Sequence, residues 1–326
     1  MLQEKLMRQL TQKKAFKWLL LGLLLLNILS LSLGAYDIQN QSDGWWMFWL
    51  ARLPRTLAVN LSGWALAISG LVMQLLTRNR FAEPTTTGTF EWAGLGILLA
   101  LLVQPNMSLL NRMLWAMGFA ALGQLCFFVF LRFLPRRQNL LVPLVGLMLG
   151  TLIQALATFI ALTTQRQQAM ASWFVGSFAH IEAGRYEFLW LLVPASLAIL
   201  LLANQLTIAS LGEFMSQNLG LNYQRIMLIG LGLVALITGI IATVVGRLPF
   251  IGLLIPNMVR LYLGDDAKTS VPWVGLLGAV LLLAADCLSR LLIIPFEMPV
   301  AFILSALGAL AFLLLILHQQ RGRNHA

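Results

Sequence analysis

The sequence predicts an all-α, polytopic integral membrane protein with about ten transmembrane helices, and three observations predict it. Of 326 residues, 59% are hydrophobic and only 10% carry a formal charge, against roughly a quarter in ordinary soluble domains. The apolar residues recur in stretches of about 17–25, the length a helix needs to cross ~30 Å of hydrocarbon. These stretches are rich in Leu and Ala and lack the period-two alternation of a membrane barrel. Lipid offers no hydrogen bonds to an open backbone, so helices are the structure left.

The first apolar run, 17–35, follows Lys13, Lys14 and Lys17 and ends at the small residues Gly34 and Ala35, as a signal peptide would. Trp18 to Leu33 is already long enough to stay in the bilayer, and further runs follow, so it reads as a retained first span. Charge, proline and turn residues then delimit spans near 53–77, 87–103, 109–134, 140–163, 187–204, 222–246, 249–264, 271–293 and 299–318. The span at 87–103 is short and carries Glu91, and the one at 249–264 is interrupted by Pro256 and Asn257. Ser172 to Ile181 reads as a short buried helix that does not cross. Residues 1–326 thus form a single transmembrane domain, with a cytoplasmic connector at 206–221 inside it.

The net charge of +10 is accounted for by topology. With the N-terminus inside, the cytoplasmic segments receive Lys5, Arg8, Lys13, Lys14, Lys17, Arg78, Arg80, Arg132, Arg136, Arg137, Arg225, Arg260, Lys268, Arg321 and Arg323. The other side holds Arg52, Arg55, Arg112, Arg166, Arg185, Arg247 and Arg290. That bias of roughly two to one puts both termini in the cytoplasm, and no nucleic-acid partner is needed to explain the charge. Trp45, Trp46 and Trp49 fit an outer interfacial belt.

Enzyme chemistry finds little purchase here, and no catalytic residue, cofactor site or metal site is expected. Cys126 and Cys287 lie inside apolar runs without Cys-X-X-Cys spacing, and His180, His318 and His325 are scattered. No G-x-x-x-x-G-K-[ST] phosphate loop occurs, and no connection is long enough for a nucleotide-binding or ligand-capturing domain. If this chain belongs to a pump, the energy source and the capture device are other chains.

Three regions carry a recognisable pattern. The first holds Arg52-Leu53-Pro54-Arg55, the small residues from Gly63 to Gly70 with Gln74, then Arg78-Asn79-Arg80-Phe81-Ala82-Glu83-Pro84 and Gly88. The second holds Gly252, Leu253, Pro256, Arg260, Gly264, Asp265, Gly278, Ala279, Ala285, Asp286, Arg290, Glu297, Pro299 and Gly308. The third is the connector, with Leu211-Gly212 and Leu219-Gly220 at fixed separation. Together they resemble the FecCD/BtuC-type permease subunits of binding-protein-dependent ABC importers for ferric siderophores, haem and cobalamin. Where that family usually has a histidine this chain has Asn257, and the usual Pro-x-Gly is Pro299-Val300-Ala301. These departures, with TTTGTFEWAGLG after Pro84, resemble a branch serving ferric siderophores.

The resemblance implies a type II ABC importer permease fold in the bacterial inner membrane. It also implies a second permease subunit, two cytoplasmic ATPase subunits, a substrate-binding protein and an iron-siderophore cargo. Arg52, Arg55 and Arg290 would receive acidic residues of the binding protein; read from the residues alone, they snorkel to phosphate or pair with Asp286, four positions before Arg290. Leu211, Gly212, Glu213, Gln217 and Gly220 would form the ATPase-coupling segment, whereas composition alone favours a solvated connector there. Phe81 would narrow the cytoplasmic end of the pathway, against plain interfacial packing. Asn257 either faces a cavity or is a buried amide satisfied by a neighbouring helix. A cobalamin or haem permease and an ion-gradient-driven transporter remain the alternatives. The latter expects ionisable residues near the bilayer midplane in broken helices.

Overall fold

The computed structural model describes residues 2–34, 44–133, 141–168, 170, 175–264, 266–293 and 296–323. Ala35, Arg136, Arg137, residues 172–174 and Asp265 lie outside them. The chain forms α1 (Leu2–Ser32), a short α2 (Gly44–Met47), α3 (Leu53–Thr77), α4 (Thr89–Val103), α5 (Leu109–Arg132) and α6 (Leu141–Thr163). It continues as α7 (Leu192–Leu201), α8 (Ala203–Ala209), α9 (Glu213–Asn218), α10 (Tyr223–Val244), α11 (Ile251–Leu263), α12 (Ala267–Leu291) and α13 (Val300–Arg323). A π turn, Phe48–Arg52, joins α2 to α3, and a 3-10 turn, Tyr186–Leu191, precedes α7. No strand occurs among the described residues.

Six helices are long and apolar enough to cross a membrane, and α7 with the preceding turn and α8 makes a seventh, bent by 59°. The short apolar helices α4 and α11 and the apolar part of α13 bring the number of span-like units to ten, as expected. The span expected at 187–204 is therefore broken rather than straight, and runs on through α8 at the bend. The short helix expected at 172–181 is not seen over its described part: residues 175–181 are bends, turns and irregular backbone, tied down by Ser177 N–H donating to Val245 O at 3.1 Å.

α3 is the axis of the bundle, buried along most of its length against α10, α11 and α12. Two crossings bring backbone to backbone. A Cβ on Gly63 would stand 2.6 Å from Gly278 O, and one on Gly70 2.1 Å from Gly252 O. Such approach is how helices associate where apolar side chains gain nothing by leaving lipid. On the periphery, α1, α5 and α6 present Leu24, Leu25, Val129, Phe130, Leu152 and Phe159 outward, an apolar surface suited to lipid or a second subunit.

The two short helices begin deep. Gly252, at the start of α11, meets Gly70, seventeen residues into α3 and about 25 Å along it. Gly88, just before α4, packs on Gly150 and Gly146 of α6. The connection 78–88 therefore folds back into the bundle to meet the start of α11. There Phe250 N–H donates to Glu83 Oε1 at 3.2 Å, and Gln74 Nε2 donates to Gly252 O at 3.2 Å.

Candidate functional site

Of the three arginines expected at outer helix ends, Arg52 and Arg290 meet the C-terminal end of α1, and Arg55 joins Arg290 through Asp286. Arg52 Nη1 donates to Leu31 O and Ser32 O, both at 3.0 Å. Arg290 Nη1 donates to Ser30 O at 3.0 Å, and its Nη2 to Ser30 Oγ at 3.2 Å and to Asp286. Arg55 donates through Nε and Nη2 to Asp286 Oδ1 and through Nη1 to Glu297 Oε2 at 2.6 Å. The unsatisfied carbonyls that end a helix are natural acceptors for cationic donors. Asp286 is fully buried, Arg290 is 7% exposed, and Arg52 and Arg55 are half-buried. Pairing with Asp286, one of the two readings open for these residues, is thus present in the fold, and it takes in Arg55 as well as Arg290.

At the opposite end, α8 and α9 with their turns form the connector. Gly212 holds φ +100° and Gly220 φ +79°, conformations that side chains rarely adopt. Ser216 is buried and donates to Gly212 O at 2.7 Å and Ile208 O at 2.9 Å, which closes α9 against α8. Leu211, Glu213 and Gln217 are exposed, and so are Phe214, Met215 and Leu219. That second set is an apolar face which the sequence reading passed over by attending to the polar residues. Its signal was available, since large apolar side chains in a six-residue helix outside any span have no lipid to enter. Arg78, the left-handed C-cap of α3, reaches Gly212: a Cβ there would stand 2.6 Å from the guanidinium.

The connection 78–88 ties these parts together. The Phe81 ring meets Phe312 of α13 edge-on at 5.6 Å between centroids. Asn257 Nδ2 donates to Arg80 O and Leu253 O, both at 2.7 Å, and is 7% exposed. It fastens α11 to the connection; it does not line an open cavity within the chain. A wide cleft of about 940 Å³ opens between the connector and the ends of α3 and α5, bounded by Arg78, Asn79, Arg132, Glu213 and Gln217.

Residues 19–318 match the FecCD transport family. The chain belongs to that family. The FecCD chain is 47% identical to the petrobactin import system permease protein FatD of Bacillus anthracis, over 95% of this chain and 93% of the relative. It is 39% identical to the petrobactin import system permease protein YclN of Bacillus subtilis, over 93% and 98% of the two chains. A solved structure described as an inward-facing metal-chelate type ABC transporter superposes with a TM-score of 0.81, at 25% identity, over 94% of this chain and 99% of that one. This FecCD protein is accordingly a multi-pass ABC transport permease rather than an enzyme.

Proposed function

We propose that this permease carries a ferric siderophore across the bacterial inner membrane into the cytoplasm. It would work as one of a pair of permease subunits, with cytoplasmic ATPases, a substrate-binding protein outside and both termini in the cytoplasm. The observation that carries the cargo is the full-length similarity to permeases of petrobactin import. Those relatives favour an iron chelate over cobalamin or haem.

In this reading the exposed Leu211, Phe214, Met215 and Leu219 face enters a groove of the ATPase, with Gly212 and Gly220 setting its angle and Glu213 and Gln217 at its rim. Closure of the ATPase dimer on ATP displaces α9. The Arg78 contact at Gly212 passes that displacement to the connection 78–88, and so to Phe81 and Phe312 at the inner mouth of the path. Asn257 keeps α11 moving with that connection. Outside, Arg52 and Arg55 offer donors to acidic residues of the binding protein, and Arg290 supports them by holding Asp286.

Reconstitution in liposomes with its ATPase and binding protein tests the reading. Ferric petrobactin uptake that requires ATP and both partners is expected, with none for cobalamin or haem. Uptake that survives removal of the ATPase, or cobalamin accumulation, would overturn it.

A further inference from the structure

None of the roles above uses the ion pair between Glu91 and Arg247. Arg247 Nη1 and Glu91 Oε1 stand 2.7 Å apart as an ion pair. Its depth follows from α6. A Cβ on Gly150 would stand 3.4 Å from Glu91 Oε2, and Gly150 is nine residues into α6, about 13 Å along a helix of ~35 Å. The pair therefore sits near the middle of the bilayer, not at the outer surface where the basic-residue count places Arg247. A charge at that depth costs about 2.5–3.5 kcal/mol on insertion scales, which makes a functional explanation the default.

The two partners are unequal. The Glu91 side chain is 5% exposed and that of Arg247 29%. Arg247 has five N–H donors that make no hydrogen bond among the described residues beyond the close approach to Glu91, and Glu91 Oε2 accepts none. The backbone beneath the arginine is fixed, because Gly176 abuts Arg247 O and Ser177 N–H donates to Val245 O. The Arg247 side chain is thus partly exposed on a segment whose backbone is fixed. Gln154, one turn further along α6, is also partly exposed, and its amide makes no hydrogen bond among the described residues. The neighbouring Thr151 and Thr158 hydroxyls return to carbonyls of their own helix and suit lipid or water equally. Open donors on a guanidinium suit a wet path, a ligand or acceptors on a second subunit rather than lipid, because hydrocarbon leaves them unpaired.

We propose that Arg247 is a cargo-contact residue at the midpoint of the translocation path. It would recognise a negatively charged metal chelate by charge-assisted, two-point hydrogen bonds to carboxylate or phenolate oxygens. Glu91 is its counter-ion while the path is empty. An arriving anionic oxygen competes with Glu91 for the guanidinium, which keeps the contact weak enough to release cargo onward. This inference rests on the importer reading and adds to it a specificity determinant for charge.

The test is equilibrium dialysis against the purified permease–ATPase complex in detergent, without binding protein. A ferric tris-catecholate, which is anionic, is compared with an uncharged ferric tris-hydroxamate. Arg247→Gln is expected to weaken catecholate binding at least tenfold with the hydroxamate little changed, Arg247→Lys to weaken it less, and Glu91→Gln to tighten it. A purely structural pair predicts that Glu91→Gln and Arg247→Gln act in the same direction, and that result overturns the proposal. So does wild-type complex that binds catecholate no better than hydroxamate. If Arg247→Gln does not assemble, the sign of the Glu91→Gln effect decides. ATP-driven uptake of ferric petrobactin by the wild-type complex is scored separately, so failure of the importer reading is not mistaken for failure of this one.

Discussion

Asp286 holds two arginines at once, with one carboxylate oxygen toward Arg55 and the other toward Arg290, and it is fully buried. Removing one member of a buried ion pair leaves an uncompensated charge and costs about 3–5 kcal/mol. Asp286→Ala is therefore expected to lower the melting temperature of the detergent-purified protein sharply, and an unchanged melting temperature would show that the cluster is not structural. The sequence revealed the i, i+4 spacing of Asp286 and Arg290. It could not reveal that Arg55 shares the same carboxylate, because a contact across 231 positions has no period to read. Outside the membrane, Asp266 caps α12 by accepting from Thr269 and Lys268 N–H groups, and these bonds, that of the Thr269 hydroxyl foremost, hold its carboxyl below the ordinary value of 3.8. A lowered folded-state pKa stabilises above the unfolded value and is lost as pH falls through the folded one. Asp266→Ala should cost about 1 kcal/mol at neutral pH, with the gap to wild type closing as pH drops below 3.8.

Among the elements, α3 and the connector show where pattern reading stops. The small residues of α3 announced a close-packed helix, but not that α11 would begin two-thirds of the way along it, opposite Gly70. Hydropathy sees α11 as a short span; only the Gly70–Gly252 contact and the fold-back of 78–88 show that it starts within the bundle. Gly70→Val is expected to destabilise by at least the ~1–3 kcal/mol of an overpacked core. Gly118→Ala in α5 should be neutral or stabilising, because a Cβ there meets nothing within 4 Å and Gly is a poorer helix former than Ala. Equal effects in thermal unfolding would remove close approach as the reason for glycine at position 70. Gly212 carries a different load. An added methyl at φ +100° is strained and strikes Arg78, so Gly212→Ala should reduce ATP-driven uptake while the helices of the bundle keep their thermal stability. Loss of uptake and stability together would place the residue in folding rather than coupling.

At the scale of the whole molecule, the arrangement turns on the parity of the crossings. α4 is only about 22 Å long and α11 shorter still, both less than the ~30 Å hydrocarbon layer. Each can count as a crossing because non-helical backbone extends it within the bundle: 78–88 before α4, and 245–250 before α11. Non-helical backbone at that depth is tolerated only where protein covers it, and Glu83, Thr85 and Thr87 there are indeed buried. If both short helices complete crossings, the loop after α4 lies outside and the connector after the sixth span lies inside, as the distribution of Lys and Arg requires. If α4 fails to cross, both segments exchange sides together. In a background with Cys126 and Cys287 replaced by Ser, Asn106→Cys and Asn218→Cys occupy exposed positions in these two segments. A membrane-impermeant thiol reagent applied to spheroplasts should label Asn106→Cys in intact cells and Asn218→Cys only after lysis. The reverse pattern would mean that α4 does not cross or that the protein is inverted, and in either case it places the connector where no cytoplasmic ATPase can reach it. Labelling of both from one side would remove a single crossing between α4 and the connector, with the broken segment around α7 and α8 the first place to look.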